Sequence, residues 1–121
     1  MKIMINSYKD LIVWKKAMEL SIQVYMLTKQ FPKEEIYGLT SQMRRAAVSI
    51  PSNIAEGKLR GHKKECRQFF LIAFASGGEL ETQVEIAKRL PETHSLSYVL
   101  VDSLLVEVMK MLNVMISKFE K

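Results

Sequence analysis

Two histidines, one cysteine and a run of glutamates are the residues of this sequence most suited to catalysis or metal binding. A di-metal carboxylate centre in a helical protein needs Glu-x-x-His pairs projecting inward from two helices. His62 follows Gly61 at a predicted helix start, and His94 sits in a break between Pro91 and Ser95. Neither has a glutamate three residues before it, so no metal site is expected. Cys66 has His62 one turn away and Lys63 nearby, a setting that could lower a thiol pKa. Nothing orients such a base, however, and a lone cysteine on a heptad stripe reads as core. A single cysteine also excludes an intrachain disulfide and fits a reducing compartment. Glu79, Glu81 and Glu85 could in principle do acid–base work. Glu81 and Glu85 are one turn apart and Lys88 and Arg89 follow, which describes a solvated, salt-bridged helix face. Gly77–Gly78 lies inside a helical pattern, not in a strand-to-helix loop, so it is not read as a phosphate cradle. The expectation is a protein without catalytic apparatus and without a cofactor.

Charge points elsewhere. The formal net charge is +5. Between Arg44 and Gln68 lie Arg44, Arg45, Lys58, Arg60, Lys63, Lys64 and Arg67, opposed only by Glu56 and Glu65. That segment alone carries the net charge of the whole chain and could attract polyanions; the competing reading is a solvated surface that maintains solubility. No basic strand interleaved with aromatics and no recognition-helix signature occurs, so contact with RNA or DNA would be to the backbone and not to base sequence. The longest uncharged run, Gln68 to Gly78, is 11 residues, far below the ~20 a membrane-spanning helix needs. Met1 to Asn6 is too short for a signal-peptide core before Lys9 and Asp10. A cytoplasmic protein with no membrane partner is expected.

The elements that must position these residues are helical almost throughout. Length and composition fit one domain, and four periodic segments separated by short breaks predict an all-α, up-down-up-down antiparallel four-helix bundle, with helices at about 8–31, 36–57, 62–90 and 96–120. In the first, Val13, Ala17, Leu20, Val24, Leu27 and Phe31 form one apolar stripe. Leu11, Trp14, Met18, Ile22 and Tyr25 form a second, roughly 140° around the axis. A bundle helix needs one buried face, so the second stripe is a candidate oligomer interface, although the pattern alone leaves open which stripe is core. In the second helix, which starts somewhere between Lys33 and Thr40, Pro51 predicts a kink and Gly57 a C-terminal cap, with Lys58 and Arg60 near the negative end of the dipole. In the third, Cys66, Phe70, Ala73, Gly77, Leu80, Val84 and Ala87 keep heptad spacing, and Gly77–Gly78 suggests close helix approach or a local kink. Ser95 or Ser97 would cap the fourth, whose apolar arc includes Val101, Leu104, Leu105, Val108 and Leu112. Met43, Met109, Met111 and Met115 fall on apolar faces as gap-fillers.

The segment Tyr37 to Gly57, YGLTSQMRRAAVSIPSNIAEG, closely resembles the signature of the four-helix-bundle family named after the 23S rRNA intervening sequence. Similar too are DLIVWKKAMEL from Asp10, Val24–Tyr25, Phe31–Pro32, Glu65 to Phe70, and GELETQVEIA from Gly78 to Ala87. The chain departs from the family pattern at Ser76-Gly77-Gly78, where something like Gly-Ser usually precedes Glu-Leu. The resemblance implies a homopentameric barrel of basic four-helix protomers with nucleic acid as partner, and for most members no biochemical activity. A related branch serves retroelement reverse transcriptases as an accessory protein, so a protein partner of that kind is the alternative. The family's double arginine maps onto Arg44 and Arg45. Those two residues could contact a ligand or pair with Glu56, Glu79 or Glu81.

Overall fold

The computed structural model describes residues 7–119. A capped 3-10 turn, Tyr8–Asp10, leads into helix α1, Ile12–Thr28. A 3-10 turn at Lys33–Glu35 and a π turn at Ile36–Thr40 then lead into α2, Ser41–Arg60. Helices α3, Lys63–Arg89, and α4, Val99–Lys118, complete the chain, with no strand among the described residues. Each helix packs on the next, and α4 returns to α1. The cross-helix pairs run in opposite senses: Thr28 meets Arg44 while Ser21 meets Ala47, and Lys88 meets Asp102 while Gly77 abuts Met109. This is the up-down-up-down bundle that the sequence predicts.

The core draws on all four helices and is built from the stripes. Val13, Ala17, Leu20, Val24, Leu27 and Phe31 are all buried, so the first stripe of α1 faces inward. Leu11 and Trp14 of the second stripe are half-buried against the core edge. Met18, Ile22 and Tyr25 face outward at 38%, 56% and 42% exposure. Met43 is fully buried, while Met109, Met111 and Met115 pack partly buried against the core.

Pro51 does not break α2. Its ring nitrogen has no hydrogen, so the carbonyl of Ala47, four residues earlier, loses its helical donor. Ala47 is fully buried, and an unmet carbonyl there would be costly. The hydroxyl of Ser21, buried on α1, reaches this oxygen at 3.0 Å, sharing its proton with the Ala17 carbonyl, also at 3.0 Å. A small polar residue among apolar neighbours thus closes the hydrogen-bond gap that a proline opens on the next helix. Within the segment expected to form the second helix, non-helical backbone occurs at Gly38, φ −111° and ψ −111°.

Two expectations from the sequence are corrected. The α2 helix ends at Gly61, not Gly57: Gly61 adopts the left-handed conformation, φ 76°, that a C-terminal cap requires. Gly57 is buried inside the helix, where a Cβ would lie 3.1 Å from the Cys66 carbonyl oxygen and 3.1 Å from Phe69 Cβ. It is a close-approach glycine between α2 and α3, reinforced by a 2.8 Å hydrogen bond between the Ser49 and Ser76 hydroxyls. The N-cap of α4 is Tyr98 and lacks a side-chain cap bond, so neither Ser95 nor Ser97 fills that role. The connection is held instead by Thr93, whose hydroxyl donates to the Ala87 carbonyl at 2.6 Å, and by Tyr98, whose hydroxyl donates to the Thr93 carbonyl at 2.8 Å. Gly77 is where α3 accommodates the Met109 side chain of α4. The expected end of the fourth helix at residue 120 lies outside the described residues.

Removing the Ser21 hydroxyl with Ser21→Ala is expected to cost about 1–3 kcal/mol, the range for stranding a buried polar group. In a Pro51→Ala background the Ala47 carbonyl regains an amide donor, and the same change should cost markedly less. Urea denaturation of the two single variants and the double variant, at one protein concentration, measures this coupling. Strict additivity would contradict the account.

Candidate nucleic-acid interface

The basic residues that sequence reading gathered into one set divide into two groups. Arg44 and Lys58 both lie on α2, and at about 1.5 Å rise per residue they are ~21 Å apart along it.

The first group surrounds the turn from α2 to α3. Gly61 reverses the chain, and only Gly61 and His62 separate Arg60 from Lys63. Lys58, Arg60, Lys63, Lys64 and Arg67 therefore meet at one corner. Their roles differ. Arg60 Nε donates to Glu56 Oε2 at 3.0 Å, its Nη1 lies 3.7 Å from Glu65 Oε2, and its guanidinium covers the Phe69 ring at 5.1 Å. Much of its charge is offset locally. Arg67 is half-buried, whereas Lys58, Lys63 and Lys64 are exposed. Lys58 lies in the last turn of α2, where the helix dipole favours a cation. Lys63 and Lys64 open α3, at the positive end of its dipole, where helix electrostatics favour an anion. Cations there act against helix stability and concentrate positive potential at the corner.

The second group is the double arginine. Successive helical residues point ~100° apart, and Arg44 and Arg45 accordingly face different surroundings. Arg44 Nε donates to Thr28 Oγ1 at 2.8 Å and its Nη2 to the Tyr25 carbonyl at 3.4 Å, while the guanidinium covers the Tyr25 ring at 4.5 Å. It holds the start of α2 onto the last turn of α1, at the negative end of that helix dipole. No ion pair joins Arg44 or Arg45 to Glu56, Glu79 or Glu81 among the described residues. Arg45 is exposed. Lys29 and Lys33 share a groove with the two arginines; sequence reading passed over both because they precede the dense basic segment and belong to a different helix and turn.

The other candidate chemistry is dispersed. Cys66 is buried, and burial pushes its thiol pKa up, with the Lys58 charge opposing that rise. His62 and His94 are both exposed and lie at opposite ends of α3. Among the described residues, no three His, Cys, Asp or Glu side chains are grouped so that they could hold a metal ion. Glu85 pairs with Lys88 within α3 at 3.2 Å, and Lys88 in turn reaches Asp102 on α4 at 2.7 Å, so the tie between these helices is made by Lys88. No helix among the described residues is long and apolar enough to cross a membrane.

In comparison with protein families, a model described as 23S rRNA-intervening sequence protein matches residues 9–114. The search of curated proteins finds no match.

The raised thiol pKa has a measurable consequence. At neutral pH, Cys66 in the folded chain is expected to react far more slowly with an aromatic disulfide reagent than in urea-unfolded chain. Equal rates in the two states would contradict its placement in the core.

Proposed function

The chain belongs to the 23S rRNA-intervening sequence protein family, and on that footing we propose that it is a non-enzymatic, homo-oligomeric protein that holds RNA or DNA by the phosphate backbone. The observation that carries the nucleic-acid reading is the α2–α3 corner, where Lys58, Lys63 and Lys64 are exposed around a left-handed Gly61 turn. Two of these lysines sit where the α3 dipole disfavours them, which fits a site kept for binding rather than for stability. Phosphate contacts of this kind fix position without reading sequence.

Self-association is supported by the outward stripe of α1. Met18, Ile22 and Tyr25 are exposed with Met26 beside them at 54%, an apolar surface that a second copy would cover. The pentameric number follows from the resemblance. A ring would present several corners on one assembly, and avidity would then exceed the affinity of any single corner.

A second reading, an adaptor whose partner is another protein such as a reverse transcriptase, is favoured by one observation. Val99, Leu100, Val106 and Val114 on α4 are 71%, 61%, 49% and 54% exposed, apolar surface on a different helix from the α1 stripe.

Light scattering during size exclusion should give a mass several times 13.9 kDa, most simply five times. Ile22→Glu should lower that mass without loss of helicity, because Ile22 lies outside the core. A wild-type monomer at micromolar concentration would refute self-association.

In mobility-shift titrations, log affinity should fall linearly with log salt, with a slope near −0.9 per neutralised phosphate for duplex DNA and about −0.7 for single strands. Changing Lys58 and Lys64 together to Glu should flatten the slope and weaken all sequences alike. Binding unchanged in that variant would clear the corner, and absence of any binding at low salt would favour the adaptor.

A further inference from the structure

At the opposite end of α2 from the corner, the last turn of α1, the π turn and the first turns of α2 enclose a groove of about 690 Å³. Four cations line it, Lys29, Lys33, Arg44 and Arg45, with the rings of Tyr25 and Tyr37, and no carboxylate is among its lining residues. Arg44 is engaged with α1 and fixes Tyr25 as a wall by covering one face of its ring. The side chains of Lys29, Lys33 and Arg45 make no hydrogen bond or ion pair among the described residues. Of the two acids that follow Lys33, Glu35 is occupied as a cap, its Oε1 accepting from the Leu39 amide at 3.2 Å, and Glu34 is exposed outside the groove lining.

Two further features point to a ligand. The π turn leaves Tyr37 at 96% exposure, an aromatic ring presented to solvent at the edge of a cationic groove. Thr40, which also lines the groove, is only 4% exposed, and its hydroxyl oxygen is buried with no hydrogen-bond partner among the described residues. A buried hydroxyl requires a partner, and beside this groove the described residues supply none.

We propose that this groove binds an unpaired nucleotide, with its base stacked on Tyr37 and its phosphate held by Arg45, Lys29 and Lys33. An isolated anion would need the cations but not the ring, and an acidic peptide would offer the ring nothing to stack. A nucleotide uses both, because base–aromatic stacking combined with a cationic track is how single strands are held without regard to sequence. Bases in a duplex are already stacked on each other, so the groove selects single strands. The ligand class rests on the nucleic-acid reading above, but the groove is separate from the corner, and the two can fail independently. The nucleotide could be a unit of a strand or a free nucleoside monophosphate.

The test is fluorescence anisotropy on the full chain, with a short labelled single strand and the matching duplex. Wild type is compared with Tyr37→Ala, Tyr37→Phe, Arg45→Gln and the Lys58, Lys64 double change to Glu. Tyr37 is almost wholly exposed, so its replacement leaves the core intact. Tyr37→Ala should weaken single-strand binding about tenfold, the size of one lost base stack, and leave duplex binding unchanged; Tyr37→Phe should restore it. Arg45→Gln should weaken the single strand as well. Adenosine monophosphate should displace the strand where equal inorganic phosphate does not. Direct monophosphate binding that depends on Tyr37, without strand binding, would support the groove with the free nucleotide as its source. Single-strand affinity unchanged in both Tyr37→Ala and Arg45→Gln would overturn the groove, and the corner variant would still report on the backbone reading. A fall in assembly mass for Tyr37→Ala would also overturn it, by making the groove a contact between copies of this chain.

Discussion

The pairing of α1 with α2 rests on polar contacts that cross between them, one of them to a carbonyl that α2 cannot satisfy itself. Pro51 frees the Ala47 carbonyl in the interior of α2, whereas at the end of α1 the Tyr25 carbonyl keeps its helical donor, the Lys29 amide at 3.1 Å. Ser21 on α1 supplies the donor that the Ala47 carbonyl lacks, at 3.0 Å, and Arg44 on α2 reaches back to Thr28 Oγ1 at 2.8 Å and to the Tyr25 carbonyl at 3.4 Å. Apolar contacts alone would allow the two helices to slide or rotate, because dispersion and burial have little direction. These polar contacts fix the register. Once the register is fixed, Val13, Ala17 and Leu20 must point inward and Met18 and Ile22 outward, and the basic start of α2 must lie against the end of α1.

The same pairing separates positive charge into two environments. At one end of α2, Gly61 turns the chain and the exposed lysines of the corner face solvent. At the other, Arg44 is drawn into the α1 contact while Arg45 remains outside beside Lys29 and Lys33. The close approach of α2 to α3, permitted by Gly57 and joined by the Ser49–Ser76 hydrogen bond, holds the corner at the end of a tightly packed helix pair. In the proposed function, the outward α1 stripe assembles copies of this frame and the charged ends of α2 meet the polyanion.

The four helices were legible because a 3.6-residue apolar period needs no knowledge of tertiary contacts, and the stripe from Val13 to Phe31 is buried along its length. Which of the two α1 stripes faces inward was not legible, since both are apolar and the choice depends on Ser21 and on the α2 register. Gly57 read as the cap of the second helix; only the left-handed φ of Gly61 and the crowded surroundings of Gly57 place the cap four residues later. Neighbouring basic residues were misleading for a related reason. Arg44 and Arg45 are adjacent in sequence but face different surroundings, and residues in one dense basic segment end up about a helix length apart. The groove stayed hidden because Lys29, Tyr37 and Arg45 come from a helix end, a π turn and a second helix that only the fold brings together.

The central claim is that binding to nucleic acid is a property of the assembly, in which weak corners act together. It is tested most directly by diluting the protein at fixed low salt while recording both its mass and its affinity for a labelled duplex. The account predicts that affinity collapses over the concentration range in which the assembly dissociates, because a single protomer offers only a few phosphate contacts. A protomer that retains full affinity after the assembly has dissociated would contradict it.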